Sequence, residues 1–447
     1  MSTAAYLTHV EALATAIAAG RLKPGDRLPP QRVFAFEQGI AVSTASRVYT
    51  ELLRRGLAVG EIGRGTFVAE PTPSAASVGA ETGDRRVDLE FNFPRVEAQS
   101  ALIARSLAPF QRADRVDASM RPISLARLRA ARSTTAAFLS SRHWSPEPES
   151  LLFTGSGRQS LAAAIATLAP IGGRVAVEAV TYPLVKAIAA RCGVTLVPIT
   201  MDQEGVLPDG IVKAHQAGAL SAIYVQPVLH NPLGHSMSRV RREALIETAR
   251  ALGVVVIEDL VYGFLADETP LSALAPDLCL CVDSLSKRVA PGIGLGLLSV
   301  PRALWSRASA TVRAGAWSAP GMALDIGSAL MADGTVAEIQ RLKRLDAPVR
   351  HKIAADALGG FSWSGDSRSY HVWLRLPDGW RSDAFVAAAA REGIAITASS
   401  AFTVVPGHAP NAVRIALGQP DHATLRGAME QIARILRVGP DDAELTE

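Results

Sequence analysis

Lysine and cysteine are scarce in this chain of 447 residues, and long apolar runs are missing. Only six of its 46 basic residues are lysines, so arginine carries most of the positive charge. Its three cysteines, Cys192, Cys279 and Cys281, form no metal-binding pattern, which favours a reduced compartment over a disulfide-stabilised scaffold. No apolar run reaches about 18 residues and no secretory signal is evident, so we expect a cytoplasmic protein without membrane insertion.

The composition indicates a large globular protein. Apolar residues make up 48% of the 447 residues, which is enough for two or three domains with a substantial core. The formal net charge of +4 and the pI near 9.1 are mildly basic. This balance permits a nucleic-acid partner but does not require one.

Residues 1–69 read as a separate α+β domain. Apolar periodicity predicts a helix over 6–19, and a connector rich in turn residues covers 21–30. Two helices over 31–38 and 43–55, each closed by a glycine, predict a helix-turn-helix pair. The stretch 61–68 is typical of a hairpin with Arg64 between two glycines at its tip. Three helices and a hairpin together predict a winged helix-turn-helix.

A winged helix of this kind would place the helix from Ser43 in the major groove and Arg64 in the minor groove or on the backbone. A small helical domain for protein interaction, with solvated arginines, is the alternative. The residues 20–30, Arg47-x-Tyr49-x-Glu51 and Gly63-x-Gly-Thr-Phe-Val68 resemble the GntR family of bacterial repressors. The candidate DNA-binding residues are Arg32, Thr44, Ser46, Arg47, Arg64, Gly65 and Thr66.

A change in composition separates this domain from the rest. Residues 70–87 are rich in Pro, Ser, Ala and Gly without apolar periodicity, which predicts a linker. Over 88–447, short apolar runs alternate with Ala-rich helical segments, the pattern of a doubly wound α/β sheet. We expect a small C-terminal α+β subdomain from about residue 330.

Reactive side chains follow three of the predicted strands. Lys287 comes just after the apolar run 278–282, and Asp259 ends the run 254–259, with Tyr262 three residues later. Asn231 follows the strand that begins at Ala222. Open α/β sheets bind ligands at the carboxyl ends of their strands, so we expect these side chains to converge. A lysine among small polar residues is otherwise most simply a solvated turn.

Two further stretches suit an anionic ligand. The strand from Ser150 breaks into Gly155-Ser-Gly157 before a helix, and amides at a helix start bind phosphate, although a tight turn is the alternative. Arg414 lies on an alternating strand over 411–417. Its guanidinium calls for a carboxylate, either from a substrate or from a structural ion pair.

Asn231-Pro-Leu-Gly234, Asp259-x-x-Tyr262 and Ser284-x-Ser-Lys287 resemble, in order and spacing, the signature of fold-type-I pyridoxal-phosphate enzymes, the aspartate aminotransferase superfamily. The resemblance implies that Lys287 forms a Schiff base with pyridoxal 5'-phosphate and that Arg414 binds a substrate carboxylate. It implies the following cofactor-binding residues: Ser156, Gly157, Tyr182, Asn231, Asp259, Tyr262, Ser284, Ser286, Lys287 and Arg288. Gly294 stands where these enzymes usually have a phosphate-binding arginine, and we expect Arg288 to take over that role.

Both parts together resemble the MocR-type subgroup of GntR regulators, in which a winged helix is fused to an aminotransferase-like domain. The resemblance implies a head-to-tail homodimer that binds a double-stranded DNA operator. It also implies a transcriptional regulator that senses an amino acid or amine through an external aldimine. Two alternatives stay open: an active aminotransferase that carries a DNA-binding domain, and a repressor that kept the fold without the cofactor.

Overall fold

The computed structural model describes residues 4–18, 21–23, 25–54, 57–61, 65–69, 87–405 and 409–439. The chain divides into two compact units. The first comprises Met1–Glu81 with Ser399–Pro410, and the second comprises Thr82–Ala398 with Asn411–Glu447. The predicted linker over 70–87 lies outside the described residues except for Val87, and the domain limits given above stay predictions.

The first unit contains a helix-turn-helix and a two-stranded sheet. Its elements are α1 (Ala4–Ala18), α2 (Gln31–Glu37), α3 (Val42–Arg54), β1 (Ala58–Glu61) and β2 (Gly65–Val68). Helix α3 buries Ala45, Val48, Tyr49 and Leu52, which recur at helical spacing and therefore lie on one face. The Tyr49 hydroxyl donates a hydrogen bond of 2.5 Å to the Pro29 carbonyl, which ties α3 to the segment before α2. These elements form the predicted winged helix-turn-helix.

The second unit alternates helices and strands along most of its length. Its helices are α4 (Gln99–Leu107), α5 (Ala113–Met120), α6 (Leu125–Leu139), α7 (Gly157–Leu168), α8 (Pro183–Arg191), α9 (Pro208–Gln216), α10 (Arg239–Leu252), α11 (Leu271–Leu274), α12 (Leu285–Arg288), α13 (Trp305–Ala314), α14 (Gly321–Ala332), α15 (Thr335–Ala357), α16 (Ser382–Arg391) and α17 (His422–Val438). Its strands are β3 (Val87–Asp88), β4 (Leu151–Thr154), β5 (Arg174–Glu178), β6 (Thr195–Ile199), β7 (Met201–Asp202), β8 (Gly205–Val206), β9 (Ala222–Val225), β10 (Val255–Asp259), β11 (Cys279–Ser284), β12 (Gly296–Ser299), β13 (Trp363–Ser364), β14 (His371–Arg375), β15 (Ile394–Ala395), β16 (Thr397–Ala398) and β17 (Ala412–Ala416).

A seven-stranded sheet forms the centre of this unit. Its strand order is β4-β12-β11-β10-β9-β5-β6, and β12 is antiparallel to both of its neighbours. The pairs formed by β11, β10, β9, β5 and β6 are parallel. Every residue of β4, β9 and β11 is buried, as expected for strands covered on both faces. The predicted doubly wound α/β architecture is therefore present.

A smaller sheet follows, with the order β13-β14-β17-β16 and antiparallel pairing throughout. Leu374 on β14, Ile415 on β17 and Met429 on α17 belong to its hydrophobic core. Arg414 projects from β17 and is 6% exposed. In the described part of the chain, no helix combines the length and apolarity that crossing a membrane requires.

Candidate cofactor site and nucleic-acid interface

A cavity of about 260 Å³ lies where β10 and β11 end. It collects side chains from strand ends that are far apart in sequence, as the strand-end argument predicts. The lining residues are Phe93, Ser156, Gly157, Arg158, Leu161, Tyr182, Gln226, Asn231, Asp259, Val261, Tyr262, Ser284, Ser286, Lys287 and Pro291. The structure thus brings together all the predicted cofactor-binding residues except Arg288.

Lys287 projects into this cavity from α12, the short helix that follows β11 directly. Its Nζ donates a hydrogen bond of 2.7 Å to the carbonyl of Asn92 and lies 3.5 Å from the centre of the Phe93 ring. Burial, together with the positive charges of Arg414 and Arg158, lowers the pKa of Lys287 well below its usual value. A larger fraction of the side chain is therefore the neutral, nucleophilic amine near pH 7.

Asp259 lies at the end of β10, where burial raises its pKa to about 6. Two hydrogen bonds oppose that shift because they stabilise the carboxylate. The Tyr224 hydroxyl donates to Oδ2 at 2.8 Å, and the Val261 amide donates to Oδ1 at 3.2 Å. The site therefore holds a buried carboxylate, which a positively charged neighbour would stabilise.

Asn231 is fixed on both its backbone and its side chain. The Gln226 side-chain amide donates to the Asn231 carbonyl at 3.3 Å, and its oxygen accepts from the Asn231 amide at 3.4 Å. The Arg414 Nη1 donates to Asn231 Oδ1 at 3.5 Å. Because Oδ1 accepts from arginine, Nδ2 is the donor end of this amide. Arg414 also donates to Thr397 Oγ1 at 3.0 Å and is not among the residues that line the cavity.

The start of α7 forms one wall of the cavity. Ser156 caps the helix, and its hydroxyl accepts from the Gln159 amide at 3.3 Å. A Cβ atom added at Gly157 would lie 2.9 Å from the Ser284 hydroxyl, so only glycine lets the helix start approach the end of β11 this closely. Free amides at a helix start, flanked by serine hydroxyls, are suited to an anion.

Arg288 is where the structure departs from the expected site. It does not line the cavity, because Asp283 holds its guanidinium in a buried ion pair at 2.5 Å. Gln340 accepts a further hydrogen bond of 3.2 Å from Nη1. The expectation that Arg288 replaces the missing phosphate ligand therefore has no geometric support. Gly294 cannot carry a side chain here either, because a Cβ atom would lie 2.8 Å from the Gly155 carbonyl oxygen.

Sequence reasoning missed several residues of the site. Arg158, the second residue of α7, lines the cavity, and a hydrogen bond and a positive charge from it act on the Tyr182 hydroxyl. Asn92 and Phe93 contact Lys287 from a distant segment, and Gln226 holds Asn231. Arg158 had a signal, since it directly follows the Gly-Ser-Gly turn. No local pattern marks Asn92 or Phe93.

The predicted DNA-contacting residues of the first unit lie on α2, α3 and β2. Arg47 is exposed on α3, with its guanidinium 4.4 Å from the centre of the Tyr6 ring, and Arg32 is exposed on α2. Thr44, Ser46 and Thr66 are half-buried, whereas Gly65 is exposed with a φ of +125°. Arg64 lies outside the described residues. A basic side chain is thus exposed on each helix of the pair.

Two family models match the chain. Residues 87–432 match "Aminotransferase class I and II", and residues 5–68 match "Bacterial regulatory proteins, gntR family". The chain belongs to the aminotransferase class I and II family. With its GntR helix-turn-helix it has the predicted architecture of the MocR-type regulators, and that recognition is confirmed.

Proteins that are similar over nearly the whole chain include named transcriptional regulators. The HTH-type pyridoxine biosynthesis transcriptional regulator PdxR of Corynebacterium glutamicum is 27% identical, over 95% of this chain and 94% of the relative. The vitamin B6 salvage pathway transcriptional repressor PtsJ of Salmonella typhimurium is 26% identical, over 93% and 95%. An archaeal alanine:glyoxylate aminotransferase structure superposes with a TM-score of 0.72 at 21% identity, over 81% of this chain and 93% of that one. This superposition shows the fold-type-I architecture.

Proposed function

We propose that this protein is a transcriptional regulator that binds pyridoxal 5'-phosphate and responds to an amino acid or amine. One observation carries the proposal: the low-pKa amine of Lys287, the carboxylate of Asp259 and the start of α7 line the same cavity. The GntR helix-turn-helix supplies the DNA-binding part. The full-length similarity to named regulators supports placing both activities in one chain.

The residues of the cavity fit pyridoxal phosphate. The approach of Gly157 to Ser284 leaves a cradle of amides and hydroxyls for a phosphate, which a Cβ atom would close. Asp259 lies on the cavity wall with a carboxylate that a pyridinium nitrogen would balance. Lys287 supplies a primary amine in the same cavity. When bound, the cofactor supplies an aldehyde that condenses with amines with loss of water, and a ring that withdraws electrons.

Each side chain then has a defined task. Asp259 would keep the ring nitrogen protonated, while Asn231 Nδ2 and the Tyr262 hydroxyl would donate to the ring oxygen. Tyr182 would pack against the ring. Ser156, Gly157, Ser284 and Ser286 would hold the phosphate group.

Arg158 is the cation that we assign to the phosphate. It lines the cavity at the start of α7, and no ion pair in the described part of the chain involves it. Arg288, by contrast, is held by Asp283, and Gly294 has no room for a side chain. A guanidinium beside a helix start complements a phosphate in both charge and geometry.

The effector is proposed to be an amino acid or amine that competes with Lys287 for the aldehyde. Arg414 would hold its carboxylate, since its guanidinium donates a hydrogen bond to Asn231, which lines the cavity. The cofactor itself is a further candidate, because two of the similar regulators are named for pyridoxine biosynthesis and vitamin B6 salvage.

The regulator is further proposed to act in the cytoplasm as a head-to-tail homodimer on a double-stranded operator. Sedimentation analysis measures the dimer directly. Gel-shift titration on the promoter of its own gene, with and without pyridoxal phosphate and an amino-acid library, tests the regulatory claim. A change in operator affinity that depends on both cofactor and amine is expected. Operator affinity that is indifferent to both would contradict it.

Aminotransferase turnover is a second candidate, favoured by the hydrogen bond from Arg414 to Asn231 and by the effect of the Arg414 charge on Lys287. Turnover would require the Lys287 amine to act as a general base that takes a proton from the substrate carbon and later returns it. Steady conversion of an amino acid and an oxo-acid would establish it. A single half-reaction that stops after one equivalent favours the regulator.

A further inference from the structure

A second buried lysine contacts the turn that carries Lys287. Lys343 lies on α15 and is fully buried, at 0% exposure. Its Nζ donates to the carbonyls of Lys287 at 3.0 Å, Arg288 at 3.2 Å and Val289 at 2.8 Å. All three hydrogens of the ammonium thus go to consecutive carbonyls at the end of α12, which have no partner within the helix.

Asp346 acts on this lysine through its charge but forms no ion pair with it. Asp346 accepts a hydrogen bond of 2.5 Å from Arg350 Nε and one of 2.9 Å from the Tyr370 hydroxyl. Among the described residues, no carboxylate lies within 4.0 Å of Lys343 Nζ. Burial lowers the pKa of Lys343 to about 7, and the negative charge of Asp346 opposes that shift. The three carbonyls also accept hydrogen bonds from the ammonium form.

Simple packing does not explain the residue either. Burying an ammonium has a desolvation cost even when it is hydrogen-bonded, and an apolar side chain of similar length would fill the same volume without that cost. One turn earlier on α15, Gln340 Oε1 accepts from Arg288 at 3.2 Å. The helix therefore holds α12 at two neighbouring points, one through a side chain and one through the backbone.

We propose that Lys343 is a positioning residue for Lys287: its ammonium fixes the carbonyl end of α12, so that the Lys287 amine is held where it meets the cofactor aldehyde. This inference rests on the proposed cofactor. Without the three hydrogen bonds, the end of α12 would sample more conformations. Ordering it for bond formation would then consume part of the binding free energy.

The test compares two ligands in Lys343→Met. Pyridoxal phosphate can bond to Lys287, whereas pyridoxine 5'-phosphate, an alcohol, cannot. The variant is expected to lower the affinity for pyridoxal phosphate by about tenfold, and to leave the affinity for the alcohol within about twofold. Lys343→Gln keeps two of the three N–H donors on a shorter side chain, and its affinity for pyridoxal phosphate is expected to lie between those of the wild type and Lys343→Met. This variant also serves if the methionine variant does not fold.

Lys352→Met is the matched control, because Lys352 is on the same helix with its side chain 75% exposed. It should bind both ligands as the wild type does. Equal losses for both ligands in the Lys343 variants would indicate a general packing role and overturn the inference, as would unchanged affinities. Failure of the wild-type protein to bind either ligand would instead refute the proposed cofactor, and the inference with it.

Discussion

The hydroxyl of Tyr224 on β9 donates a hydrogen bond of 2.8 Å to Oδ2 of Asp259 on the adjacent strand β10. Both side chains are buried, and burial raises the pKa of Tyr224 well above its usual value, so the phenol remains a donor. This bond partly offsets the burial that raises the pKa of Asp259 to about 6. The fold thus maintains a carboxylate at the base of the cavity at a cost in stability.

That cost can be measured with Asp259→Asn in the cofactor-free protein. The folded-state pKa of about 6 exceeds the unfolded value, so the native state binds more protons between those values and stability falls as pH rises through that window. Removing the charge should therefore raise the free energy of unfolding at pH 7 by about 1 to 3 kcal/mol, and should change it little below about pH 4.

Chemical denaturation across this pH range measures the effect, and cofactor titration is the companion experiment. The same substitution should weaken cofactor binding, because the ring nitrogen loses its counter-charge. If Asp259→Asn instead lowers the free energy of unfolding at neutral pH, burial of the carboxylate is not costly and the explanation is wrong.

Arg158→Ala should weaken the binding of phosphorylated cofactor specifically. We expect pyridoxal phosphate to bind about 10 to 100 times more weakly, since one charge-assisted contact of about 1.5 to 3 kcal/mol is lost. Pyridoxal, which has no phosphate, should bind equally to the variant and the wild type. Fluorescence titration with both compounds measures this. Equal losses of affinity for pyridoxal phosphate and pyridoxal would show that Arg158 does not act on the phosphate. Arg434→Ala is the control, because Arg434 is an exposed arginine on α17.

Asp283→Ala tests the corrected role of Arg288. Because the pair is buried, removing the carboxylate leaves an uncompensated guanidinium and should lower the free energy of unfolding by about 3 to 5 kcal/mol. Asp277→Ala breaks an ion pair of 2.6 Å whose side chains are 54% and 61% exposed, and should cost at most about 1 kcal/mol. Urea unfolding compares them. Similar small losses of unfolding free energy in both variants would argue against a structural role for the buried pair.

The sequence predicted the parts of the site that depend on local patterns. Apolar runs located the strands that end at Asp259 and Ser284, because strands buried on both faces are continuous hydrophobic stretches. The sequence placed a helix after Gly155-Ser-Gly157, whereas α7 begins at Gly157 itself. The close approach of Gly157 to Ser284 is a tertiary contact that no local pattern shows.

The sequence did not show which residues pair across the fold. Arg288 follows Lys287 directly and seemed free to bind phosphate, but its guanidinium lies between Asp283 and Gln340 of α15. Gln340 is 52 residues from Arg288 in the sequence. Lys343 is a similar case, because only the packing of α15 against α12 reveals its carbonyl partners.

Arg47→Ala should weaken operator binding. The residue is exposed on α3, and loss of a base contact should cost about 1 to 3 kcal/mol. A gel-shift titration at fixed salt measures the change, with Arg307→Ala in the second unit as the control. Unchanged operator affinity would remove Arg47 from the set of contacting residues.

The central claim is that Lys287 bonds covalently to pyridoxal phosphate. Incubation with the cofactor, borohydride reduction and peptide mass spectrometry test it directly. One reduced adduct is expected on the peptide containing Lys287, and no such adduct is expected in Lys287→Ala. A wild-type protein without any adduct, or an adduct that persists in the variant, would contradict it and leave only the DNA-binding unit with its proposed role.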